Sequence, residues 1–352
     1  MAGSPDKAVA RAPTIREAAD YAKVSPKTVS RVLNKHPYIR EDTRLRVEEG
    51  IKALGFQPNI FARVLAGGSA GMKIALLHSF PNPGVLGSLL VDLIDQAAEA
   101  HAGLVVRQVD RPENHLIIAD ELASLDVKGV ILTQPLSEQE SLITDLRSKK
   151  MAVVAIGIVS DGARLSSVGI NDVEAARSIT KHLIDLGHRR IGFVKGHTAV
   201  PASRRRYLGY ETALRQADLE IDPLLIMQGT SDYQSGLEAA HQLLSNGSRP
   251  TAVFASNDDM AAAVTAVAHE HGLNVPHDLS IAGFDDSVLA TAISPSLTTI
   301  RRPTREITRM AFDLLQQERF SRVDPDREFE RVMVKHELAQ RASTANPRLC
   351  TA

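Results

Sequence analysis

Lys27 and Arg31 are the two residues of this sequence whose type and spacing point most directly to chemistry. Residues four apart share one face of an α-helix. From such a face, Lys and Arg can donate hydrogen bonds to O6 and N7 of guanine, the commonest base-specific contact in DNA. Further donors suited to a base or a phosphate accompany them: Ser25, Thr28, Ser30 and Asn34.

Short helices must hold these side chains. Thr14 and Glu17 form a capping box that begins a first helix, Ser25 followed by Pro26 begins a second, and Gly55 ends a third. Residues 15–34 therefore predict a helix-turn-helix, although the pattern also fits an ordinary three-helix domain with solvated charges. One apolar face per helix is expected in the core: Ile15, Ala18, Ala19 and Ala22; Val29, Val32 and Leu33; Val47, Ile51 and Leu54.

Charge is distributed unevenly along the chain. Residues 1–70 carry twelve Lys or Arg against seven Asp or Glu, so the remainder holds a net charge of −6 within an overall −1. A basic segment ahead of an acidic body is the electrostatic pattern of a nucleic-acid-binding module joined to a second module.

The composition argues against several other classes of protein. A single Cys, Cys350, excludes a disulfide framework or a Cys-based zinc site. The His residues show no metal-ligand spacing, so His182, His188 and His197 are expected on the surface or in loops. The N-terminus lacks the apolar region of a signal peptide, and no apolar run is long enough to cross a bilayer. We expect a soluble, cytoplasmic protein with no metal, cofactor or membrane partner.

The character of the chain changes after a linker-like segment, GGSAG, at residues 67–71. Beyond it, apolar runs of strand type alternate with amphipathic helical stretches, which predicts parallel, doubly wound α/β structure long enough for two lobes. The predicted strands are 73–77, 104–109, 129–133, 152–156, 191–194, 252–256 and 279–284. The predicted helices include 86–100, 173–186, 204–217 and 260–271.

Residues 14–59 resemble the headpiece of the lac repressor (LacI/GalR) family. The match lies in V-S-x-x-T-V-S-R-V-L-N, then T-R-x-R-V, then L-G-F-x-P-N, and the resemblance continues over nearly the whole chain. Two departures are mild. Glu17 and Ala18 stand where the family usually has Asp-Val, and Lys23 stands where it usually has Gly.

The resemblance implies a hinge helix over residues 58–66 that forms on an operator and lies in the minor groove. Leu65 is expected to wedge between base pairs, although it could instead be a helix-end residue packed on the headpiece. Thr14, Asn59 and Arg63 join the expected DNA contacts. A pseudo-palindromic double-stranded operator implies a homodimer, favoured over a tetramer because the C-terminus lacks long apolar heptads.

For the core, the resemblance implies two α/β lobes like those of periplasmic sugar-binding proteins, with a small-molecule effector in the cleft. The motif S-x-x-R-x-x-G-Y at residues 203–210 implies that Arg206 contacts the effector, and polar residues at the carboxyl ends of strands join it. Asp258 and Asp286 could instead cap helices or turns. The expected effector contacts are Phe80, Asn82, Arg206, Tyr233, Asn257 and Asp285.

Two departures leave the effector's identity open. Aromatic rings are frequent in the family at two positions where this chain has Gly84-Val85 and Ser231, so Phe80 or Tyr233 would have to substitute. A sugar or sugar derivative is expected, and a purine-type corepressor is the alternative. The sequence does not separate an inducer from a corepressor.

The chain is therefore divided into a flexible extension (1–13), a helix-turn-helix DNA-binding headpiece (14–56), a hinge helix and linker (57–71), a two-lobed effector-binding and dimerisation core (72–340) and a frayed C-terminal tail (341–352). Two rivals to an effector-controlled repressor are weaker. A solute-binding protein has no use for a basic headpiece, and an α/β enzyme would need a motif such as GxxxxGK[ST] or GxSxG, neither of which occurs.

Overall fold

The computed structural model describes residues 13–33, 39–55, 72–79, 83–109, 115–245, 249–320 and 329–347. The chain forms two compact units, residues 1–71 and residues 72–352.

The first unit is a small helical domain of α1 (Ile15–Ala22), α2 (Pro26–Leu33) and α3 (Glu41–Leu54). The apolar faces expected from helical spacing meet in its core, where Ala18, Val29 and Val47 are fully buried. Gly50 allows α3 to pack closely on α1, because a Cβ at this position would lie 2.9 Å from Cδ1 of Tyr21.

The second unit alternates strands with helices, as the sequence predicts. Its strands are β1 (Lys73–His78), β2 (Gly103–Gln108), β3 (Val127–Thr133), β4 (Ala152–Ile156), β5 (Ser166–Gly169), β6 (Ile191–Lys195), β7 (Ile226–Gln228), β8 (Ala252–Ala255), β9 (Ser280–Ala282), β10 (Thr299–Arg301), β11 (Arg331–Met333) and β12 (Glu337–Ala339). Its helices are α4 (Pro83–Glu99), α5 (His115–Ser124), α6 (Glu140–Ser148), α7 (Asp172–Asp185), α8 (Pro201–Gln216), α9 (Tyr233–Ser245), α10 (Asp258–Glu270), α11 (Val288–Ala292) and α12 (Thr304–Phe320). None of the described helices is long and apolar enough to cross a membrane.

Two parallel sheets organise this unit as two lobes. The sheet of the first lobe has the order β11-β5-β4-β3-β1-β2, and that of the second lobe has the order β7-β6-β8-β9. Neighbouring strands within each sheet are parallel, whereas β10 and β12 form a separate antiparallel pair. Strands β4 and β8 are buried along their whole length, because helices cover both faces of a parallel sheet. The predicted two-lobed, doubly wound architecture is confirmed.

The chain passes between the lobes three times. It enters the second lobe between β5 and α7, returns between β10 and α12, and crosses again between β11 and β12. Helix α12 packs on β3 and β4 of the first lobe. Its approach requires a glycine in β3, because a Cβ at Gly129 would lie 2.6 Å from Cδ2 of Leu315. These crossings bring Asp172, which follows the first, and Arg302, which follows β10, to the cleft between the lobes.

The C-terminal segment packs on the second lobe as far as the structure describes it. Ser343 is fully buried. Its Oγ donates to the carbonyl of Ile281 at 2.5 Å and accepts from the amide of Thr298 at 2.8 Å. The expectation that the chain frays beyond residue 340 is therefore wrong for residues 341–347, because this segment supplies hydrogen bonds beside β9, the edge strand of the second sheet.

Candidate functional site

The turn between α1 and α2 is built as the sequence predicts. Glu17 Oε2 accepts from the amide of Thr14 at 2.5 Å, and Thr14 Oγ1 accepts from the amide of Glu17 at 3.3 Å, which closes the capping box. Lys23 ends α1 in the left-handed region, with φ of 53°. Ser25 Oγ accepts from the amide of Thr28 at 3.1 Å at the start of α2. Thr14, Ser25 and Thr28 thus have local capping roles, whatever else they contact.

Helix α2 presents the two predicted base-reading side chains to solvent. Lys27 and Arg31 are both exposed, as are Ser25 and Pro26 at the start of the helix. Lys27 and Arg31 form no ion pair with any other described residue. Ser30 lies within the same helix. Four predicted DNA contacts fall outside the described residues: Asn34, Asn59, Arg63 and Leu65.

Arg206 is the centre of a buried polar cluster in the second unit. Its Nε donates to Asp172 Oδ1 at 3.1 Å, its Nη1 to the carbonyl of Ser256 at 2.6 Å and its Nη2 to Asp285 Oδ1 at 3.3 Å. The guanidinium also stacks on the ring of Phe284, 3.7 Å from its centroid. Although burial favours the neutral form, the carboxylates of Asp285 and Asp172 hold the pKa of Arg206 above its ordinary value.

The motif around Arg206 also contains residues that pack α8 against its neighbours. Gly209, one turn along α8, faces α7 so closely that a Cβ would overlap the carbonyl oxygen of Val173. Tyr210 is buried and donates from its hydroxyl to the carbonyl of Ile191 at 2.7 Å. Together these two residues fix α8 against α7 and β6, which aligns Arg206 with Asp172.

Asp285 completes the cluster from a loop after β9. Its carboxylate is 5% exposed and accepts from Arg302 Nη1 at 3.3 Å as well as from Arg206. Its backbone adopts φ of 108° and that of Asp286 adopts φ of 54°, two consecutive left-handed conformations at residues other than glycine. Such strain persists only where surrounding contacts hold it, and it concentrates at ligand sites.

Asn257 has a double role. Its Oδ1 accepts from the amide of Met260 at 3.0 Å and so caps α10, while its Nδ2 donates to the carbonyl of Ser231 at 2.8 Å. The cap is therefore Asn257, and Asp258 lies in the first turn. Asp258 accepts from Thr299 Oγ1 at 2.6 Å and from the amide of Ser287 at 2.7 Å. Burial, together with the nearby charge of Asp285, raises the pKa of Asp258 to about 7.

A cavity of about 160 Å³ lies between the two lobes, and Asp172, Arg206, Asn257 and Asp285 line it, whereas Asp258 does not line its described wall. Of the predicted effector contacts, the structure brings Arg206, Asn257 and Asp285 to this cavity. Tyr233 begins α9 and is 42% exposed, and it does not line the described cavity wall. Phe80 and Asn82 lie outside the described residues.

Further lining residues were not anticipated from the sequence. Asp172 and Arg302 belong to the polar cluster. The side chain of Gln134 forms hydrogen bonds with both lobes. Gln134 Oε1 accepts from the amide of Ala202 at 3.1 Å, and its Nε2 donates to the carbonyl of Ile158 at 2.9 Å. Asp172 is the first residue of α7, directly after the N-cap Asn171, and the strand before it was not predicted. The remaining wall mixes polar side chains with aliphatic ones, the latter including Val85, Leu86, Leu89, Ile156, Ile170 and Ile307.

The structure differs in part from the expectation that the histidines lie on the surface or in loops: His188 lies in a loop but is buried, and His182 lies in α7. His188 is 1% exposed; its Nδ1 lies 2.9 Å from Thr251 Oγ1 and its Nε2 lies 2.9 Å from the carbonyl of Ala345. Burial lowers the pKa of His188. His182 is half-buried and lies 3.1 Å from Thr344 Oγ1. Both contact the C-terminal segment, whereas His197 lines the cavity.

Comparison with known proteins agrees with this architecture. Residues 14–59 match the model of the bacterial regulatory proteins of the lacI family, and residues 180–344 match that of the periplasmic binding protein-like domain. The chain is 33% identical over 298 residues to the probable HTH-type transcriptional repressor ExuR of Bacillus subtilis, covering 84% of this chain and 88% of that protein. The chain belongs to the lacI family.

Solved structures of the lacI family share the fold. A lac repressor dimer bound to operator and the anti-inducer ONPF is 27% identical, with a TM-score of 0.75 over 95% of this chain and 100% of that one. The transcriptional regulator CelR, in complex with cellobiose, is 29% identical, with a TM-score of 0.68 over 94% and 99% of the two chains. Members of the lacI family are DNA-binding transcription regulators rather than enzymes, and this protein is a repressor of that type.

Proposed function

We propose that this repressor binds a pseudo-palindromic operator as a homodimer and that a polyhydroxylated effector, a sugar or sugar derivative, binds in the cleft between its lobes and changes operator affinity. The observation that carries the effector proposal is the buried cluster of Arg206, Asp172 and Asp285 at the wall of the inter-lobe cavity.

The chemistry of the cavity suits hydroxyl groups. Asp172 and Asp285 offer acceptors, Arg302 offers guanidinium donors, and Asn257 offers an amide. A sugar hydroxyl is both a donor and an acceptor, so a wall with both kinds of group can satisfy several at once. The aliphatic side chains opposite, among them Leu86 and Ile307, can pack on the C–H face of a ring.

The size of the cavity favours a small ligand. Its 160 Å³ is below the roughly 300–1,000 Å³ typical of sites for drug-sized molecules. One sugar ring therefore suits the cleft as it stands, and a larger ligand would require the lobes to open. The CelR–cellobiose complex supports a carbohydrate here, since that structure shares the fold.

A ligand in this cleft can be coupled to DNA binding because it would touch both lobes. Thr133, Gln134 and Ile156 belong to the first lobe, and Arg206 and Asn257 belong to the second. Binding therefore favours one separation of the lobes over another, and coupling of this kind is commonly worth ~1–3 kcal/mol. The lac repressor dimer on its operator supports the dimeric DNA-bound form.

The DNA-binding half of the proposal is tested by selecting palindromic sequences from a random pool and comparing them with unselected DNA by fluorescence anisotropy at moderate salt. We expect much tighter binding of the selected palindromes, with two subunits per site. Equal affinity for both DNAs would contradict a sequence-specific regulator.

The effector half is tested by thermal shift of the full chain with D-glucose, D-galactose, D-ribose and cellobiose. A stabilising sugar should raise the melting temperature of an Asp285→Asn variant much less, because the carboxylate that accepts from its hydroxyl is gone. It should keep its full effect in an Arg215→Met variant, which changes an exposed residue of α8. A stabilisation that Asp285→Asn leaves intact would place the sugar elsewhere.

A further inference from the structure

The C-terminal segment contacts Asp286, which is next to Asp285 of the polar cluster around Arg206. Arg341 Nη2 donates to Asp286 Oδ1 at 2.5 Å, and Arg301 Nε donates to Asp286 Oδ2 at 2.6 Å. Each carboxylate oxygen of Asp286 is thereby held by an arginine other than Arg206. The two adjacent carboxylates thus have separate partners: Asp285 bonds to residues of the cavity wall, and Asp286 bonds to Arg341 of the C-terminal segment.

Arg341 is itself well anchored. Its Nη1 donates to the carbonyl of Leu297 at 2.8 Å, and its amide donates to Thr298 Oγ1 at 3.0 Å. Two residues further on, Ser343 bonds to Ile281 and Thr298. The Arg341 side chain is 16% exposed, whereas that of Arg301 is 50% exposed. Arg341 is therefore the more rigid of the two partners of Asp286.

The backbone conformation of Asp285 and Asp286 depends on contacts such as those that Arg341 and Arg301 make with Asp286. Asp285 and Asp286 both have positive φ, a conformation that L-residues avoid, and without outside contacts the loop would relax. Without its partners, Asp286 can change its φ, and the backbone of the turn that also carries Asp285 can then move with it. The carboxylate of Asp285 is held directly by Arg206 and Arg302 as well, so Asp286 acts on the backbone beneath it.

We propose that Arg341 is a positioning residue of the effector site: by holding Asp286, it keeps the carboxylate of Asp285 directed into the cavity. The sugar-binding test of this inference rests on the proposed effector function, whereas the crystallographic test does not. The segment from Arg341 to Ala345 then belongs to the ligand site's architecture, although it does not line the described cavity wall.

The structural test needs no ligand. Crystal structures of the full chain carrying Arg341→Met or Arg341→Lys are compared with the wild type. We expect the distance from Arg206 Nη2 to Asp285 Oδ1, 3.3 Å here, to be lost in Arg341→Met and kept in Arg341→Lys, whose ammonium can still reach Asp286. An unchanged Asp285 in Arg341→Met would overturn the proposal whether or not any sugar binds. Should Arg341→Met fail to fold, Asp286→Asn weakens the same contacts with little change of shape and has the same expected result.

The binding test separates positioning from general destabilisation. For a sugar that stabilises the wild type among D-glucose, D-galactose, D-ribose and cellobiose, titration calorimetry should show at least roughly tenfold weaker binding in Arg341→Met, and near-wild-type binding in Arg341→Lys and in Arg215→Met. In an Asp285→Asn background, Arg341→Met should cause little further loss, because its effect acts through Asp285. Losses that simply add would overturn the proposal. If no sugar binds the wild type, the effector proposal fails, while the crystal structures still decide the role of Arg341.

Discussion

Arg206 and Asp172 join the middle of α8 to the start of α7 through a hydrogen bond of 3.1 Å, with side chains only 9% and 7% exposed. A pair buried this deeply is tolerated because each charge has further partners: Arg206 also bonds to Ser256 and Asp285. Removing one member leaves an uncompensated charge in a site with little access to water, which costs far more than the pair itself contributes.

Arg206→Met should therefore lower the free energy of unfolding by ~3–5 kcal/mol, because Asp172 stays buried without its cation and Asp285 keeps only Arg302. Urea denaturation of the full chain measures this. Arg215→Met is the matched control on the same helix; its side chain is 63% exposed, and loss of its pair with Glu211 should cost at most ~1 kcal/mol. Equal effects of the two substitutions would show that the cluster around Arg206 is not a buried charge network.

Asp258 predicts a pH dependence of stability. Burial, with the charge of Asp285, raises its folded-state pKa to about 7, whereas an unfolded Asp titrates near ~3.9. The fold therefore favours the protonated form. The stability due to this group is full below about pH 4 and is lost as the pH rises towards about 7, by up to ~4 kcal/mol.

Asp258→Asn should flatten this part of the profile. The amide mimics the protonated acid, since Thr299 can accept from it and the amide of Ser287 can still donate to it. Urea denaturation at about pH 5 and about pH 8 gives the change in the free energy of unfolding with pH for both proteins. The variant should be more stable relative to the wild type at the higher pH. Parallel profiles would mean that Asp258 is ionised throughout.

Replacing Lys23 with glycine should increase the stability of the headpiece. It adopts φ of 53° at the end of α1, a conformation that is strained for a residue with a Cβ and free for glycine. Lys23→Gly should stabilise the headpiece by ~0.5–1 kcal/mol after the added freedom of the unfolded chain is subtracted. Hydrogen exchange of peptides covering residues 14–33 measures it. Faster exchange in the variant would contradict the prediction.

Arg31 predicts a change in base discrimination. Arg31→Ala should weaken binding to a selected operator by ~1–3 kcal/mol and remove the preference at one position of each half-site. Lys52→Ala, which removes an exposed charge from α3, should weaken all DNA sequences alike if it contacts phosphates at all. Uniform weakening by Arg31→Ala would instead make Arg31 a phosphate contact.

Periodicity predicted the elements well where they were long and strongly patterned. Predicted strand 152–156 coincides with β4, and predicted helix 173–186 differs from α7 by one residue at each end. Strands β5, β7, β10, β11 and β12 were not predicted, because each has only three or four residues, which is too few to set a clear pattern. The capping signals at Thr14, Ser25 and Gly55 were all correct, since they depend on local geometry alone.

The site was less predictable because it depends on how distant elements meet. Arg206, Asn257 and Asp285 follow motifs at strand ends and reach the cavity. Arg302 lies where the chain crosses between lobes, a place that no local pattern marks, and Tyr233 was expected at the site from its proximity in sequence to Ser231. The contacts of Arg341 could not be foreseen, because a short polar segment near a C-terminus resembles a frayed tail until its partners, Asp286 and Leu297, are known.

Control of operator binding by a ligand in the inter-lobe cleft can be measured as linkage between the two sites. The affinity of a stabilising sugar is measured with and without saturating operator, and operator affinity is measured with and without saturating sugar. Two distinct sites coupled through the lobes must give the same ratio in both experiments, and we expect that ratio to differ from one by roughly 5- to 150-fold. A sugar that binds the free and the operator-bound protein equally well would contradict the account.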